Sequence, residues 1–490
     1  MVNGQRSTAA GRRLTKVSMT THSTELAVLG AGPGGYAAAF LAADLGMQVT
    51  LIDREPNPGG VCVYRGCIPS KALLHAAKLL TEARHASAWG LHFAEPRIDL
   101  DKLREWKDQV VGKLTGGAGQ VGRLRKVRYI QGEATIVDPT TFDVQTGDGM
   151  QRVCFEHAIL ATGSRPSIIP SLRLDSPRVM DSSGALELRD VPGTLLVVGG
   201  GYIGLELGTV YAALGSKVTV VEMMPGLLPG ADRDLVAVLE KRVQVLFESV
   251  LLRTKVVSVS DGPNGVTVTF ENDGLERSEQ VFDKVLVSIG RRPNSEIPGL
   301  ERTKIEVDAK GFIKTDVRRR TAEPTLYAIG DVAGEPMLAH KASHEARATV
   351  EGIHGEKVIF DPAAIPAVVF TDPELAWCGL TEDEAKKQGR RVEIAKFPWG
   401  ASGRATTLDR NDGLTKIVIE PGSERVLGVG LVGSGAGELI AEGVLAVEMG
   451  ALVSDIKLTI HPHPTLSETV MEAAEIFYGQ STHAYRPRRR

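Results

Sequence analysis

Near the amino terminus, residues 24–53 read TELAVLGAGPGGYAAAFLAADLGMQVTLID. This run predicts a buried strand, a glycine-rich turn, a helix of small residues and a second strand that ends at Asp53. Gly30 makes the tight turn, Gly32 lets the backbone approach a pyrophosphate, and Gly35 permits close packing of helix on strand. Three glycines can also stand in an ordinary turn. Because the strand, the helix and the terminal acid are all present, a dinucleotide-binding unit is favoured.

The same unit recurs at residues 194–222, which read TLLVVGGGYIGLELGTVYAALGSKVTVVE. Its motif glycines are Gly199, Gly201 and Gly204. Its terminal acid, Glu222, follows the first glycine by 23 residues, as in the first unit. The chain therefore predicts two dinucleotide-binding domains. Glu222 can bind the ribose diol of NAD and repel the extra phosphate of NADP. Because no arginine lies between Lys217 and Arg233 to receive that phosphate, NAD is predicted.

Two cysteines follow the first unit within residues 59–71, GGVCVYRGCIPSK. Cys62 and Cys67 are close enough to form a small-ring disulfide, which stores two electrons when it lies beside a redox cofactor. The alternatives are two unrelated core cysteines or half of a zinc site. A structural zinc site normally needs four ligands, whereas Cys154 and Cys378 stand alone, so redox chemistry is favoured and no metal is predicted.

The residues after the second cysteine predict a helix that begins at Pro69 or Ser70. Cys67 would then lie at the positive end of the helix dipole, which favours a thiolate. Lys71 adds a nearby cation. An ordinary thiol has a pKa near ~8.5, so both influences favour reactivity near neutral pH.

The composition is that of an ordinary globular protein. A length of 490 residues suggests about three domains, and the net charge of −3 argues against a general nucleic-acid binder. The longest uncharged run, residues 26–43, contains four glycines and a proline, which argues against a membrane span. Only four cysteines occur, so a reducing compartment is predicted. We expect a cytoplasmic location, with the mitochondrial matrix as the alternative.

Near the carboxyl end, residues 461–468 read HPHPTLSE. Thr465 and Glu468 fit a capping box before an apolar helix, and this structural interpretation explains Glu468 by itself. The two histidines between prolines are harder to explain by packing. A histidine that is held by a carboxylate is a natural general base for thiol chemistry.

Together with residues 337–341, MLAHK, these segments resemble the pyridine nucleotide–disulfide oxidoreductases, and within them the bacterial enzymes that oxidise dihydrolipoamide. The resemblance covers residues 24–480. It departs from the usual pattern at Tyr64 and Arg65, where members commonly carry Asn and Val, and at Pro462, where a small residue is common.

The resemblance implies an α/β fold with two Rossmann-like domains and a carboxyl-terminal α+β domain that forms a homodimer. It implies one non-covalent FAD per subunit in the first site and NAD⁺/NADH in the second. The implied domain limits are an FAD-binding domain at 24–162 and 291–363, an NAD-binding domain at 163–290 and a dimerisation domain at 364–480. Outside these limits, composition favours a disordered arm at 1–23, with a transit peptide as the alternative, and a basic tail at 481–490.

The resemblance also implies roles for single residues. Dihydrolipoamide, deprotonated by His463, attacks Cys62, while Cys67 faces the flavin. Glu468 orients the imidazole of His463, and this pair reaches the disulfide of the partner subunit. Two sets of residues are implied to contact the cofactors. Around the first site, for FAD, they are Gly30, Gly32, Gly35, Asp53, Lys71, Thr162, Gly163, Asp331, Met337, Leu338, Ala339 and His340. In and near the second glycine turn they are Gly199, Gly201, Gly204, Glu206, Glu222 and Gly290. Glu206 pairs with Lys71 beside the flavin, although alone it reads as an ordinary surface carboxylate. Asp331 can instead cap the next helix.

The implied partners are the lipoyl domains and the acyltransferase core of a 2-oxoacid dehydrogenase complex, or the glycine cleavage system, with no nucleic acid and no membrane. Two other enzymes stay open, glutathione reductase and mercuric reductase. The former would use basic NADPH contacts near Glu222, and the latter a cysteine pair near the carboxyl end, where no cysteine follows Cys378. A catalytically reduced scaffold subunit is the alternative from another class.

Overall fold

A computed structural model describes residues 19–272 and 277–485. The strands within these ranges are β1 (Thr20–Leu29), β2 (Val49–Asp53), β3 (Arg128–Gln131), β4 (Glu133–Asp138), β5 (Thr141–Thr146), β6 (Gly149–Leu160), β7 (Ser164–Pro166), β8 (Val179–Met180), β9 (Thr194–Val198), β10 (Lys217–Val221), β11 (Ser249–Leu251), β12 (Thr254–Gly262), β13 (Gly265–Asn272), β14 (Arg277–Phe282), β15 (Lys284–Val287), β16 (Arg291–Pro293), β17 (Leu326–Ala328), β18 (Ala367–Val369), β19 (Glu374–Gly379), β20 (Glu393–Pro398), β21 (Leu414–Ile419) and β22 (Val426–Gly433).

The α-helices are α1 (Pro33–Asp44), α2 (Gly60–Arg65), α3 (Cys67–His85), α4 (Leu100–Leu124), α5 (Ser182–Leu186), α6 (Tyr202–Leu214), α7 (Arg233–Leu246), α8 (Ala339–His354), α9 (Glu382–Lys387), α10 (Gly403–Thr407), α11 (Ala436–Glu448), α12 (Val453–Leu458) and α13 (Glu468–Phe477). Short 3-10 helices lie at Ala86–Trp89, Pro170–Leu172, Leu300–Arg302, Gly330–Val332 and Trp399–Ala401.

The chain forms two compact units. The first contains the described residues from 19 to 58 together with Ala118–Thr162 and Asn294–Val358. Its seven-stranded sheet has the order β3-β2-β1-β6-β5-β4, with β17 beside β6. The pairs among β1, β2, β3, β6 and β17 are parallel, whereas β4, β5 and β6 pair antiparallel.

Alternation along β1 shows how the first sheet is buried on both faces. Leu26 and Val28 belong to one apolar cluster, and Ala27 and Leu29 belong to another. Successive side chains of a strand point to opposite faces, so the apolar run Leu26–Leu29 at the end of β1 fits a parallel sheet that is covered on both sides there. The structure contains both strands predicted for the first glycine-rich unit, β1 before the turn and β2 after the helix α1.

The second unit contains Gly59–Gly117, Gly163–Pro293 and the residues from Ile359 onward. A parallel sheet of order β11-β10-β9-β15-β8 carries the second glycine turn. A three-stranded antiparallel sheet, β12-β13-β14, and a pair, β16-β7, accompany it. The last part forms an antiparallel sheet of order β18-β19-β22-β21-β20 with α9 to α13. The predicted α/β class with a terminal α+β region is confirmed.

Several boundaries differ from the sequence-based expectations. Strand β1 begins at Thr20, inside the predicted arm, and the part of that arm up to residue 18 lies outside the described residues. Residues 59–117, assigned to the first nucleotide-binding domain, cluster with the second unit. Of the predicted basic tail, residues 486–490 also lie outside the described residues.

Helix α3 begins earlier than predicted, at Cys67 rather than at Pro69 or Ser70. A proline is tolerated in the first turn of a helix, because the first N–H groups have no partner inside the helix. The amide of Ser70 accordingly donates to the carbonyl of Gly66 at 3.1 Å, as the first helical bond after the proline.

Candidate active site

The two cysteines of residues 59–71 lie on consecutive helices. Cys62 is inside α2, and Cys67 is the first residue of α3. Both are free thiols, and their sulfurs are hydrogen-bonded to each other. Gly66 joins the helices, and a Cβ at this position would lie 2.9 Å from the carbonyl oxygen of Val61. The turn that brings the two sulfurs together therefore requires a residue without a side chain.

The two thiols differ in acidity. The hydrogen bond from Cys62 lowers the pKa of Cys67 to about 7, against the opposing effect of desolvation, although the surface of the residue as a whole is exposed. The charge of Lys71 acts in the same direction as the hydrogen bond. The pKa of Cys62 is raised, because its thiol donates to Cys67 and because the residue is half-buried. Near neutral pH the pair is thus a thiol that donates to a thiolate, with the thiolate at the positive end of α3.

An ion pair lies beside this centre. Lys71, one turn into α3, places Nζ 2.7 Å from Oε2 of Glu206, whose side chain is only 4% exposed. Oε1 of Glu206 accepts the backbone N–H of Phe370 at 3.0 Å, and Lys71 Nζ lies 4.5 Å from the centre of the Phe370 ring. The surface reading of Glu206 is wrong, because α6 buries this carboxylate against its partners. Sequence reasoning missed Phe370, whose contribution is a backbone donor and an uncharged ring.

His463 and Glu468 form a second polar pair. His463 Nδ1 lies 2.9 Å from Glu468 Oε1. Since a carboxylate can only accept, Nδ1 carries the proton, and Nε2 of the neutral ring keeps a lone pair. Within the described part of the chain Nε2 has no hydrogen-bond partner, and the His463 side chain is 71% exposed. This is the arrangement that a general base requires.

Glu468 is also held by the backbone. Its Oε2 accepts the N–H of Thr465 at 2.8 Å. The predicted capping box is only half formed, because the Thr465 hydroxyl donates to the carbonyl of Pro462 instead of accepting from the helix, and α13 begins at Glu468 itself. Burial raises the pKa of Glu468, but the bonds from Thr465 and His463 outweigh it and lower the pKa overall. The carboxylate is therefore ionised beside the imidazole.

The neighbouring His461 is bound on both sides. Its Nε2 lies 2.7 Å from Glu442 Oε1, and its Nδ1 lies 2.9 Å from the carbonyl oxygen of Thr459. Both partners can only accept, so both ring nitrogens must donate, which requires the imidazolium. The hydrogen bond to Glu442 raises the pKa of His461 accordingly, against the effect of burial.

In the first glycine turn, side chains are excluded by the backbone. Gly30 has φ +99°, and a Cβ there would lie 2.3 Å from the carbonyl oxygen of Ala161. A Cβ on Gly35 would lie 1.8 Å from the carbonyl oxygen of Gly30. Asp53 Oδ2 accepts the backbone amide of Ala31 at 2.5 Å, and its Oδ1 accepts the backbone amide of Glu55 at 2.9 Å. The acid thus fixes the turn that it is predicted to complete.

The second glycine turn repeats this geometry. Gly199 has φ +107°, and a Cβ there would lie 2.6 Å from the carbonyl oxygen of Ser288. A Cβ on Gly204 would lie 2.3 Å from the carbonyl oxygen of Gly199. Glu222 accepts the backbone amides of Gly200 and Met224, each at 2.7 Å. Gly201, like Gly32 in the first turn, is the N-cap of the helix that follows, α6 and α1 respectively.

Other predicted cofactor residues lie at turns. Thr162 donates its hydroxyl to the carbonyl of Asn294 at 2.8 Å, and the Asn294 amide returns a bond to the Thr162 carbonyl at 2.9 Å. Gly163 and Gly290 adopt positive φ values of 69° and 113°. Of the segment 337–340, Leu338 is the N-cap of α8 and Ala339 its first residue.

Sequence reasoning also missed two buried residues that hold the turn of Asp331. Glu345 Oε2 accepts the amide of Gly330 at 2.6 Å. Lys341 Nζ donates to the carbonyl of Gly334 at 2.9 Å and pairs with Glu345 at 3.0 Å. Their signal is a Lys–Glu pair spaced by four residues on α8, which sequence alone suggests as a surface pair. The buried ion pair of Lys341 and Glu345 thus holds the backbone on both sides of Asp331.

Residues 24–346 match the family described as pyridine nucleotide-disulphide oxidoreductase, and residues 365–474 match the dimerisation domain of that family. The chain belongs to the pyridine nucleotide-disulphide oxidoreductases.

Within this family the similarity extends over nearly the whole chain. The chain is 48% identical to the dihydrolipoyl dehydrogenase of Vibrio cholerae and 48% identical to that of Haemophilus influenzae, in each case over 94% of this chain and 96% of the relative. The crystal structure of LpdA from Mycobacterium tuberculosis is similar with a TM-score of 0.85 at 28% identity, covering 94% of this chain and 100% of that one. The flavoprotein disulfide reductase RclA from Escherichia coli has a TM-score of 0.83 at 26% identity, covering 93% and 99%.

The family carries FAD and uses a pyridine nucleotide, so the predicted cofactors are confirmed at this level, and the dimerisation domain supports the predicted homodimer. Both glycine turns fit a dinucleotide, because at each the first and third motif glycines pack so closely on backbone carbonyls that a Cβ would not fit, as the tight turn of such a site requires. No helix of residues 19–272 and 277–485 is long and apolar enough to cross a bilayer. The same ranges contain no cluster of three His, Cys, Asp or Glu residues suited to a metal ion.

Proposed function

We propose that the protein oxidises protein-bound dihydrolipoyl groups to lipoyl groups with NAD⁺, as a dihydrolipoamide dehydrogenase. The observation that carries the proposal is the hydrogen-bonded pair of Cys62 and Cys67, in which the second thiol has a pKa of about 7. The likeness to dihydrolipoyl dehydrogenases at 48% identity supports the choice of substrate. The partners would be lipoyl domains of a 2-oxoacid dehydrogenase complex, in the cytoplasm.

The difference in acidity assigns the two cysteines to different steps. In the oxidised protein, a substrate thiolate attacks Sγ of Cys62, the Cys62–Cys67 bond breaks, and Cys67 leaves as a thiolate. The thiol with the lower pKa is the better leaving group, which favours this direction of attack. The second substrate thiolate then attacks the substrate sulfur bound to Cys62. This step breaks the bond between Cys62 and the substrate sulfur, closes the lipoyl ring, and leaves the pair of Cys62 and Cys67 reduced by two electrons in total.

His463 removes the proton from the attacking thiol through Nε2, while Glu468 holds Nδ1–H and stabilises the imidazolium that forms. We assign this base to the active site of the other subunit, in keeping with the dimerisation domain. Asp53, with the first glycine turn and the turn at Asp331, would hold FAD, and Glu222 with the second turn would hold NAD. FAD, when bound there, would supply the two-electron chemistry that links the reduced cysteine pair to NAD⁺.

The test is a steady-state assay of the purified FAD-loaded protein with dihydrolipoamide, comparing NAD⁺ and NADP⁺. We expect turnover with a strong preference for NAD⁺, because Glu222 repels the additional phosphate. Cys67→Ser should abolish turnover, whereas the matched control Cys154→Ser should leave it unchanged. Activity only with glutathione disulfide and NADPH would instead identify a glutathione reductase. Lack of either activity in the wild-type dimer would favour a scaffold subunit.

A further inference from the structure

Phe370 touches both members of the ion pair beside the redox cysteines. It follows β18 directly, and its backbone N–H donates to Oε1 of Glu206 at 3.0 Å. Its ring centre lies 4.5 Å from Nζ of Lys71. Oε2 of Glu206 is taken by Lys71 at 2.7 Å. Each oxygen of the carboxylate therefore accepts one hydrogen bond. The ammonium lies between the carboxylate and the aromatic ring.

We propose that Phe370 is a positioning residue of the redox centre, whose N–H fixes the Glu206 carboxylate and whose ring holds the Lys71 ammonium beside the thiolate of Cys67. The proposal rests on the function given above, in which Cys67 is the sulfur that leaves as a thiolate. Phe370 takes no part in the thiol chemistry itself, because it acts on Cys67 through Lys71.

The chemistry of lysine explains why such support is needed. The ammonium ends a flexible stem whose rotamer freedom opposes any single position. Side-chain exposure of 32% leaves Lys71 open to water on one side. A cation within about 6 Å of a ring centre is attracted by the electrons of the ring face, and the observed distance lies well inside that limit. A leucine can fill the same volume but has no such face.

The influence on the thiolate runs through charge. Among the described residues of this chain, the titratable and charged groups that act on the Cys67 thiol are Cys62 from α2, Lys71 from its own helix and Glu206 from α6. In the proposed dimer, the partner subunit's His463 also faces this pair of cysteines. In the segment of Phe370, the nearest charged residue along the chain is Asp372, which is bound by Arg410 at 2.6 Å. The segment therefore contributes an uncharged ring and an N–H. Movement of the lysine away from the sulfur should make the thiolate less stable.

The direct measurement is the rate at which iodoacetamide alkylates Cys67 in the dithiol-reduced, FAD-loaded dimer, followed against pH, with the adduct located by mass spectrometry. The wild-type profile should rise through pH about 7. Phe370→Leu keeps the N–H and removes only the ring, so its profile should shift to higher pH, with a rate at pH 7 lower by about two- to fivefold. Phe370→Tyr keeps an aromatic face and should restore the wild-type profile.

Two further measurements separate the ring electrons from general packing. Site-specific pentafluorophenylalanine at position 370 keeps the shape and withdraws electrons from the face, so it should reproduce the shift of the leucine variant even if that variant folds poorly. In a Lys71→Met background, Phe370→Leu should cause no further shift. Unchanged profiles in the leucine and fluorinated proteins would overturn the proposal, as would a full shift that persists without Lys71. Alkylation needs no dihydrolipoamide, so this result stands apart from the turnover assay.

Discussion

His461 and His463 lie in one proline-flanked loop, and each is paired with a glutamate at nearly the same distance, 2.7 and 2.9 Å. They differ in the second ring nitrogen. His461 gives it to a backbone carbonyl, and its side chain is 5% exposed. His463 keeps it unengaged among the described residues, and its side chain is 71% exposed.

This contrast shows that a histidine–carboxylate pair is not by itself a catalytic signature. A ring with two acceptors around it is held as an imidazolium and has no lone pair with which to take a proton. A ring with one acceptor is oriented and still basic. The second partner of each imidazole therefore separates the structural histidine from the candidate base, and the following substitutions test that separation.

The largest effect is expected for His463→Gln. Glutamine keeps a hydrogen-bond donor for Glu468 but cannot take the proton of the substrate thiol. We expect kcat/KM for dihydrolipoamide to fall by about 10²- to 10⁴-fold, the usual contribution of a general base. Direct transfer from NADH to an artificial electron acceptor should be less affected, because it bypasses the thiol step. An equal loss in both assays would show that His463 is not the base.

A smaller loss is expected for Glu468→Gln. The amide can still accept Nδ1–H of His463, but it has no charge to stabilise the imidazolium. A hydrogen bond to a charged group is worth about 1.5–3 kcal/mol, so turnover should fall by roughly 10- to 100-fold. Wild-type turnover in this variant would contradict the orienting role.

His461→Leu should behave in the opposite manner. The substitution removes the two hydrogen bonds to Glu442 and to the Thr459 carbonyl, and it leaves both acceptors without their partner. We expect the free energy of unfolding of the dimer to fall by about 1–3 kcal/mol in urea titrations, while kcat of the folded protein changes less than twofold. A turnover loss comparable to that of His463→Gln would erase the distinction between the two histidines.

Much of the fold was readable from sequence, because the two glycine turns carry a complete local pattern. Strand, turn, helix and acid follow each other within about 30 residues, and the backbone contacts of Gly30 and Gly199 with distant carbonyls explain why only glycine fits. The start of α3 was misplaced, because proline in a first turn looks like a helix boundary although the free first-turn amides tolerate it.

The same repeat shows where sequence reasoning stops. Ala37 and Glu206 occupy equivalent positions, two residues after the third glycine of each turn. The exchange of a small residue for a carboxylate is visible in the sequence, but the partners of Glu206 are not, since Lys71 and Phe370 lie far away along the chain. Phe370 in particular acts through its backbone and its ring, and neither leaves a pattern in one sequence.

The smallest effect concerns pH and sharpens the contrast between the histidines. In the folded protein the pKa of His461 is raised, chiefly by the hydrogen bond to Glu442. A raised folded-state pKa contributes stability that is fully present below the unfolded value, near ~6.5, and is lost as the pH rises through the folded value. Glu442→Gln removes the anion. The free energy of unfolding of the wild type should therefore exceed that of this variant by about 1 kcal/mol near pH 5.5–6.5, and the difference should decline at higher pH.

The measurement is a series of urea titrations of both proteins from pH 5.5 to 9. Glu468→Gln serves as the matched control, because its histidine is largely exposed and such a pair contributes little to stability. A difference that stays constant over this range would mean that Glu442 stabilises the fold without the charge of His461. A difference that declines with rising pH only for Glu442→Gln would show that the protonated imidazole of His461 stabilises the fold through Glu442, whereas the pair of His463 and Glu468 does not.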